Sequence, residues 1–296
     1  MRKLKAAPPA PRRSLTDFIE AFATYARSST ELKCYRGQRN VTWDNVAGIY
    51  RPDLRELGKN EKRAIRDIVS VHPQEFSSDE TMFDKLVRMQ HFGLPTRLLD
   101  VTLNPLVALY FATEPDPSGV ETDGAVTAFS VPAEREKYFD SDCVSCLSNL
   151  ANLTQPEKDA IVSLRDTRPP GSTLKNYRKA FNKNETLQRL HQFIRAEKPY
   201  FLPIINPVDL FKPYYVHPKM SNRRILSQAG AFIIYGLPPT RSIKFAHVIV
   251  ETKFAISKDD KVQLRADLDN LGINESTLFP EIDRAAKRIK DRYAGA

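Results

Sequence analysis

The sequence lacks any long hydrophobic segment. No run of about 18 apolar residues occurs in its 296 positions, so we expect no membrane-spanning helix. Residues 1–13 are basic and proline-rich without the apolar centre of a secretory signal, and we expect a disordered basic tail there. Three cysteines are too few for a disulfide framework, which favours a reduced, cytoplasmic protein.

Several catalytic and binding motifs are also missing. The chain has neither GxGxxG nor GxxxxGK[ST], which makes the ordinary dinucleotide and P-loop folds improbable, and it has no GxSxG elbow. Its five histidines show no HExxH or HxH spacing. Cys143 and Cys146 form a single CxxC, whereas a structural zinc site needs four ligands. We therefore expect no metal and interpret both cysteines as packed helix residues.

The charge points to the kind of partner. Lys and Arg number 45 against 36 Asp and Glu, which gives a formal charge of +9. This excess favours an anionic partner, namely a nucleic acid, a nucleotide or an acidic lipid. A merely basic surface is the alternative, because net charge does not show where the charges cluster.

The hydrophobic pattern predicts an α+β fold with a largely antiparallel sheet, because strands and helices interleave without regular βαβ spacing. No internal repeat is visible. Helices are predicted at residues 15–25, 60–70, 81–92, 106–113, 258–271 and 279–292, with a mostly helical region about 140–198. The clearest strands are predicted at residues 32–37, 125–131, 208–213, 230–236 and 245–251.

The first candidate site is the stretch Tyr35-Arg36-Gly37-Gln38 at a predicted strand end. A guanidinium there could hold a diphosphate through paired hydrogen bonds. Gly37 would allow a ligand to approach the backbone closely. The alternative is that Arg36 pairs with a structural carboxylate.

The second candidate is HFGLPTRLLDVTLNPLVALYFA at residues 91–112. In the functional interpretation, His91, Thr96 and Arg97 line the lip of a cleft whose floor is the apolar helix. Tyr110 or Phe111 could then stack on a planar ring. In the structural interpretation, a buried Asp100 is held by Arg97 or by the Asn104 turn.

The third candidate runs from Asn222 to Phe232 and contains the paired arginines Arg223 and Arg224. Gln228 and Gly230 are two positions apart, so on a strand they would face the same side. An amide beside a small residue suits a ligand that lies flat on the sheet. A β-bulge at Gly230 is the alternative.

Together these stretches resemble the FRG domain family. Its aromatic-Arg-Gly start corresponds to residues 35–37, and its longest block to QHFGLPTRLLDVT at residues 90–102, NPL at 104–106 and ALYFA at 108–112. The family usually has Trp where this chain has Val101. Further matches are Arg224, Ile225, Gln228, Gly230 and Phe232, and then GINESTLFP at residues 272–280. The resemblance implies a single FRG domain at residues 14–292 with a helical insertion about 140–198.

The family's motif order is similar to that of ADP-ribosyltransferases of the Arg-Ser-Glu type. This similarity implies a split sheet with flanking helices and NAD bound in a cleft between its halves. Arg36, Thr96 and the Gln228 strand would occupy the three motif positions. The predicted nucleotide-binding residues are Tyr35, Gly37, Gln38, His91, Thr96, Arg97, Tyr110 and Arg224. The family's toxin and anti-phage settings imply a nucleic-acid or protein target and an antitoxin or immunity partner.

The chain departs from that pattern at the acid. Gln228 stands where a catalytic Glu is expected, and a glutamine cannot stabilise positive charge as a carboxylate does. Either Asp100 supplies the charge, giving a catalytic set of Arg36, Asp100 and Gln228, or the transferase analogy fails. One alternative is a non-catalytic nucleotide or nucleic-acid sensor with an anion pocket of arginines. A metal-dependent nuclease is the third, although the carboxylates lack ligand spacing.

Overall fold

A computed structural model describes residues 12–166, 173–220, 222–238 and 247–280. Its centre is one seven-stranded sheet with the order β4-β5-β6-β2-β1-β3-β7, and every neighbouring pair is antiparallel except β4 and β5. The strands are β1 Leu32–Gln38, β2 Leu98–Thr102, β3 Gly124–Val131, β4 Glu136–Tyr138, β5 Tyr214–His217, β6 Gly230–Ile234 and β7 Val250–Ile256. The α+β prediction with a largely antiparallel sheet is confirmed.

Helices flank this sheet. They are α1 Leu15–Ala26, α2 Arg55–Lys59, α3 Glu61–Val71, α4 Met82–His91, α5 Pro105–Ala112, α6 Asp142–Asn149, α7 Gln155–Asp166, α8 Leu174–Asn182, α9 Glu185–Glu197, α10 Arg223–Ser227, α11 Lys261–Asn270 and α12 Glu275–Leu278. Helices α6 to α9 confirm the helical character predicted about residues 140–198. In the part of the chain that the structure describes, no helix is long and apolar enough to cross a membrane.

Local signals set where the helices beside the sheet begin. The Thr81 side chain accepts a hydrogen bond from the backbone N–H of Asp84, whose carboxylate accepts from the N–H of Thr81 in return, so α4 starts at a capping box. The Asn104 side chain caps α5, and Pro105 occupies its first position. Both helices therefore start where their cap residues predict.

The sheet is nearly divided between β1 and β2. Strand β1 pairs with β3 along its whole length, and β2 pairs in the same way with β6. Strands β1 and β2 meet only at Tyr35 and Thr102. The expected split sheet is thus a single sheet across the described strands. The ladder of β1 with β3 and the ladder of β2 with β6 are joined by one residue pair and diverge beyond it.

Two groups of helices cover the same sheet face on either side of this divergence. Directly paired residues point to the same side, so Tyr35 and Thr102 share a face, and Leu98 shares it by alternation. Tyr35 packs in a core with α1, α5 and α11, whereas Leu98 packs in a second core with α4, α6 and α9. The divergence therefore opens a cleft between α4 and α5.

Two predicted strands are placed differently in the structure. The segment predicted as a strand at residues 208–213 is a 3-10 helix, Pro207–Phe211, because the Asn206 side chain accepts from the Val208 N–H and Pro207 cannot donate to a ladder. The next strand begins only at Tyr214. The strand predicted at residues 245–251 starts at Val250. Residues 245 and 246, most of the helix predicted at 279–292 and most of the predicted tail lie outside the described residues.

Candidate functional site

The cleft between α4 and α5 has a volume of about 300 Å³, the lower end of the range for small-molecule sites. The predicted residues Tyr35, Arg36, Gly37, Gln38, His91, Asp100, Arg224 and Gln228 line it, whereas Thr96, Arg97 and Tyr110 do not. Arg39, Trp43, Gln90, Phe111, Glu114 and Asn222 also line it. Three distant stretches of sequence thus meet at one place, where three arginines face two carboxylates.

Arg36 bridges the two strands where their ladder is missing. Its Nη1 donates to the backbone carbonyl of Asp100 at 2.7 Å. Its Nε is buried and has no hydrogen-bond partner among the described residues. Burial lowers the pKa of Arg36, and the Asp100 carboxylate opposes that shift. Arg36 therefore holds the strands together and retains donor capacity at the cleft.

The Asp100 carboxylate is oriented by a relay through Gln90. The Gln90 Nε2 donates to Asp100 Oδ2 at 2.8 Å. The Gln90 Oε1 accepts from the Thr96 backbone N–H at 3.2 Å and from the Thr96 hydroxyl at 2.9 Å. Because both Thr96 groups donate, the amide oxygen of Gln90 faces Thr96. The NH₂ group of the same amide therefore faces Asp100. Asp100 Oδ1 has no hydrogen-bond partner in the described part of the chain, so a ligand could use it.

The prediction that Arg97 clasps Asp100 or binds cofactor is wrong. Arg97 is 0% exposed, and it donates to Glu61 through Nε at 3.0 Å and Nη2 at 2.5 Å. Lys158 from α7 also donates to Glu61, at 2.5 Å. Burial raises the pKa of Glu61, but Arg97 and Lys158 outweigh burial and hold it below its ordinary value. Arg97 therefore joins β2 to α3 and α7 inside the protein.

Thr96 and Tyr110 are also displaced from their predicted roles. Thr96 is buried, and its hydroxyl serves Gln90, so it reaches the cleft only through that side chain. The Tyr110 ring lies under the guanidinium of Arg265, 4.2 Å from the ring centroid, in a separate depression beside α11. Phe111 is the α5 aromatic residue that lines the cleft.

Gln228 lies beside the cleft but not on a strand. It follows the last residue of α10, and Ala229 then adopts a positive φ of 45° before β6 begins at Gly230. The shared strand face predicted for Gln228 and Gly230 is therefore wrong, because the turn reorients the chain. The Gln228 Nε2 donates to the carbonyl of Leu278 at 3.1 Å. Gly230 is no β-bulge, since it pairs with Thr102 in register.

Gly37 allows helix α5 to pack closely against β1. A Cβ atom on Gly37 would lie 1.8 Å from the carbonyl oxygen of Ala108 and 2.7 Å from the nitrogen of Ala112. Only a glycine allows α5 to lie this close to β1. The close contact determines how far the helix stands from the sheet, and so shapes one wall of the cleft.

Sequence reasoning missed Gln90, Arg39, Trp43 and Glu114. Gln90 opens the long block, and an amide ten residues before an acid could have been examined as its partner. Trp43 is the sole tryptophan of the chain, which was a usable signal. Arg39 and Glu114 carried no such signal in the sequence, because their positions depend on how β1 ends and where α5 packs.

The remaining predicted chemistry concerns metals and cysteines. Within the described ranges, no group of three or more His, Cys, Asp and Glu side chains could hold a metal ion. Cys143 and Cys146 both lie on α6 with free thiols, as predicted, and Cys146 is buried. Burial raises the pKa of Cys143 to about 12, so its thiol is unreactive at neutral pH. No observation here favours a two-metal nuclease.

The comparisons with known proteins identify one family. The model of the FRG domain matches residues 31–119, a segment that runs from β1 through α5 and includes the whole relay of Gln90, Thr96 and Asp100. No curated protein and no solved structure matches the chain. The matched segment thus supplies β1, α4, β2 and α5, the elements that form the core of the cleft.

Proposed function

The chain belongs to the FRG domain family through residues 31–119, and on this premise we propose that it binds NAD in the cleft and acts as an ADP-ribosyltransferase or NAD glycohydrolase. The observation that carries the proposal is the meeting of Arg36 and Asp100 at the divergence of β1 and β2. A cation suited to a diphosphate and a carboxylate suited to a ribosyl cation are adjacent there.

The arginines support the binding half of the proposal. Arg36 on β1, Arg39 in the loop after β1 and Arg224 on α10 line the cleft, and guanidinium groups bind phosphate oxygens through paired hydrogen bonds. Among the described residues, Arg36 is held through only one of its nitrogens. A diphosphate could therefore bind without any of the observed strand contacts being broken.

Asp100 supports the chemical half. In the proposed reaction the bond between ribose C1′ and the nicotinamide nitrogen breaks, and its electron pair leaves with nicotinamide. Positive charge develops on the ribose, and the fixed Asp100 carboxylate stabilises it, as carboxylates do in glycoside cleavage. An acceptor then donates a lone pair to C1′ and loses a proton. Water as acceptor yields ADP-ribose, and a protein or nucleic-acid nucleophile yields the transferred product.

The test is NAD turnover by the purified full-length chain, followed as nicotinamide and ADP-ribose by chromatography. We expect Asp100→Asn to lower turnover by about 10²-fold or more while ADP-ribose still binds. We expect Arg36→Gln to weaken ADP-ribose binding. The exposed substitution Glu56→Gln is the matched control and should change neither. Absence of nicotinamide release with water, protein and nucleic acid as acceptors, or full turnover by Asp100→Asn, would refute the enzymatic proposal.

A toxin or anti-phage role is part of the same proposal. If the chain depletes NAD or modifies an essential target, its expression in bacteria should arrest growth, and Asp100→Asn should abolish the arrest. A protein that restores growth when co-expressed would be the antitoxin or immunity partner that the resemblance implies. Unchanged growth on expression of a chain that is active in vitro would separate the activity from this role.

The second candidate is a nucleotide sensor without turnover. One observation favours it: the Gln228 Nε2 donates to the Leu278 carbonyl, so this donor is engaged within the protein. The arginines of the cleft would suffice for binding. Calorimetry that detects ADP-ribose binding in the wild type and in Asp100→Asn, with no NAD turnover in either, would support this alternative.

A further inference from the structure

Trp43, the only tryptophan in the chain, has an unusual position. It lines the cleft and remains 40% exposed, although indole is a large apolar group whose burial is favourable. Single exposed hydrophobic residues are common and need no explanation. Trp43 differs because it lies at the cleft and because its surroundings are held in place.

The loop that carries Trp43 is tied to the sheet. The Val41 N–H donates to the Asp123 carbonyl at 2.7 Å, and Lys253 Nζ on β7 donates to the Val41 carbonyl at 2.9 Å. The Trp43 N–H donates to the carbonyl of Asn40 at 3.3 Å, closing a turn. The indole is thus presented from an anchored backbone.

Arg39 stacks against the ring. Its guanidinium carbon lies 5.1 Å from the Trp43 ring centroid, within the range of a cation–π contact, and its Nε lies 3.5 Å from Asp116 Oδ2. The Arg39 carbonyl accepts from Lys261 Nζ at 2.9 Å, which fixes the backbone of this residue as well. The guanidinium lies over the indole, so an aromatic group and a cation adjoin at the cleft.

Gln38, the neighbour of Arg39, gives an independent indication of a ligand. It is 3% exposed and lines the same cleft. Its Nε2 donates to the Asp44 carbonyl at 3.3 Å, but its buried Oε1 has no donor in the described part of the chain. Buried acceptors usually have a partner, and a hydroxyl or amine of a ligand would supply it.

We propose that Trp43 and Arg39 form the subsite for the purine base of an adenine nucleotide. The inference rests on the proposed function: if the ribosyl–nicotinamide bond lies at Asp100, the adenine of NAD must occupy another surface. Trp43 and Arg39 follow Arg36 on the same chain segment, and both line the cleft. Nucleobases stack on such aromatic groups, and an adjacent arginine strengthens the contact.

The experiment uses the emission of the single tryptophan. The full-length protein is titrated with ADP-ribose, AMP and nicotinamide mononucleotide, while calorimetry measures each affinity separately. We expect the two adenine compounds to quench or shift Trp43 emission, saturating at the calorimetric affinity, and nicotinamide mononucleotide to bind without that change. Trp43→Ala should weaken ADP-ribose binding by about 10-fold or more and leave nicotinamide mononucleotide unaffected.

Two further variants keep the result interpretable. Arg39→Gln retains the fluorophore but removes the stacked cation, and it should weaken the adenine compounds selectively. Tyr200→Ala removes an aromatic residue that is 77% exposed and does not line the cleft, and it should change nothing. If ADP-ribose binds by calorimetry while Trp43 emission and the affinity of Trp43→Ala stay unchanged, the subsite is refuted and the proposed function survives. If no nucleotide binds at all, both are refuted.

Discussion

Arg97, just before strand β2, and Asp100, in the middle of β2, are charged residues only three positions apart, and their environments are opposite. At one end Arg97 is 0% exposed and is held by Glu61, by the hydroxyl of Tyr50 and by the carbonyl of Tyr235. At the other end Asp100 is exposed and one of its carboxylate oxygens is held by Gln90. The segment from Arg97 to Asp100 therefore has a closed end at the buried Arg97 and an open end at the exposed Asp100.

The difference follows from what lies beside each end. Helices α3 and α7 bring Glu61 and Lys158 to Arg97, so the buried Glu61 carboxylate forms ion pairs with both cations inside the protein. Near Asp100, strand β1 diverges and the cleft lies beside the carboxylate. A charge is used structurally where helices close over it, and it is available to a ligand where the sheet opens. The predictions below test these two ends in turn.

The largest effect is expected at the closed end. Glu61→Gln removes the single anion between Arg97 and Lys158 and leaves two buried cations, which should cost about 3–5 kcal/mol of unfolding free energy. Urea denaturation measures this loss. Glu56→Gln breaks an exposed pair with Lys59 and should leave the urea midpoint unchanged. Equal midpoints for the wild type and Glu61→Gln would contradict the closed-end assignment.

The difference in stability between the wild type and Glu61→Gln should depend on pH. The folded-state pKa of Glu61 lies below its ordinary value of 4.5, so its ion pairs contribute fully above about pH 4.5 and are lost as pH falls through the folded pKa. The stability advantage of the wild type over Glu61→Gln should therefore be constant at neutral pH and shrink in acid. If the stability advantage of the wild type grew on acidification, the result would contradict a lowered pKa of Glu61 in the folded state.

At the open end the expected effect is on turnover. Gln90→Leu keeps the side-chain volume but removes the hydrogen bond that orients Asp100, and misplacement of a reacting group can cost up to about 10²-fold in rate. ADP-ribose affinity should change little. Thr96 supplies a matched pair: Thr96→Ser keeps the hydroxyl that holds Gln90 and should retain turnover, whereas Thr96→Val should lose part of it. Equal rates for these two variants would exclude the relay.

The smallest effect is expected from a substitution of Gly37 on strand β1. Gly37→Ala places a methyl group on the α5 backbone and should cost about 1–3 kcal/mol through overpacking. Gly230→Ala is the comparison, because a Cβ there meets Ile225 only at an ordinary 3.5 Å, so its unfolding free energy should stay close to that of the wild type. If Gly37→Ala unfolds like the wild type but loses ligand, the glycine serves ligand approach after all.

The helix starts and the core strands could be predicted from sequence because their causes are local. Caps at Ser14 and Thr81, and the Asn104-Pro105 start, act within a few residues. The segment at residues 208–213 failed for the opposite reason: its apolar residues suit a strand, but Asn206 and Pro207 impose a turn. The place of Gln228 failed similarly, since a single residue at positive φ, Ala229, separates it from β6.

By itself, the sequence determined the match of residues 31–119 to the FRG domain, the class of fold and eight of the eleven predicted site residues, those that line the cleft, because motif identity and hydrophobic period are properties of the chain. Only the tertiary structure decided the role of each charge. Thr96, Arg97 and Asp100 lie close together in one motif, yet the first orients an amide, the second is buried in an ion network and the third faces the cleft. The physical reason is that each role depends on a partner 6 to 36 positions away, Gln90 or Glu61, which only packing brings near.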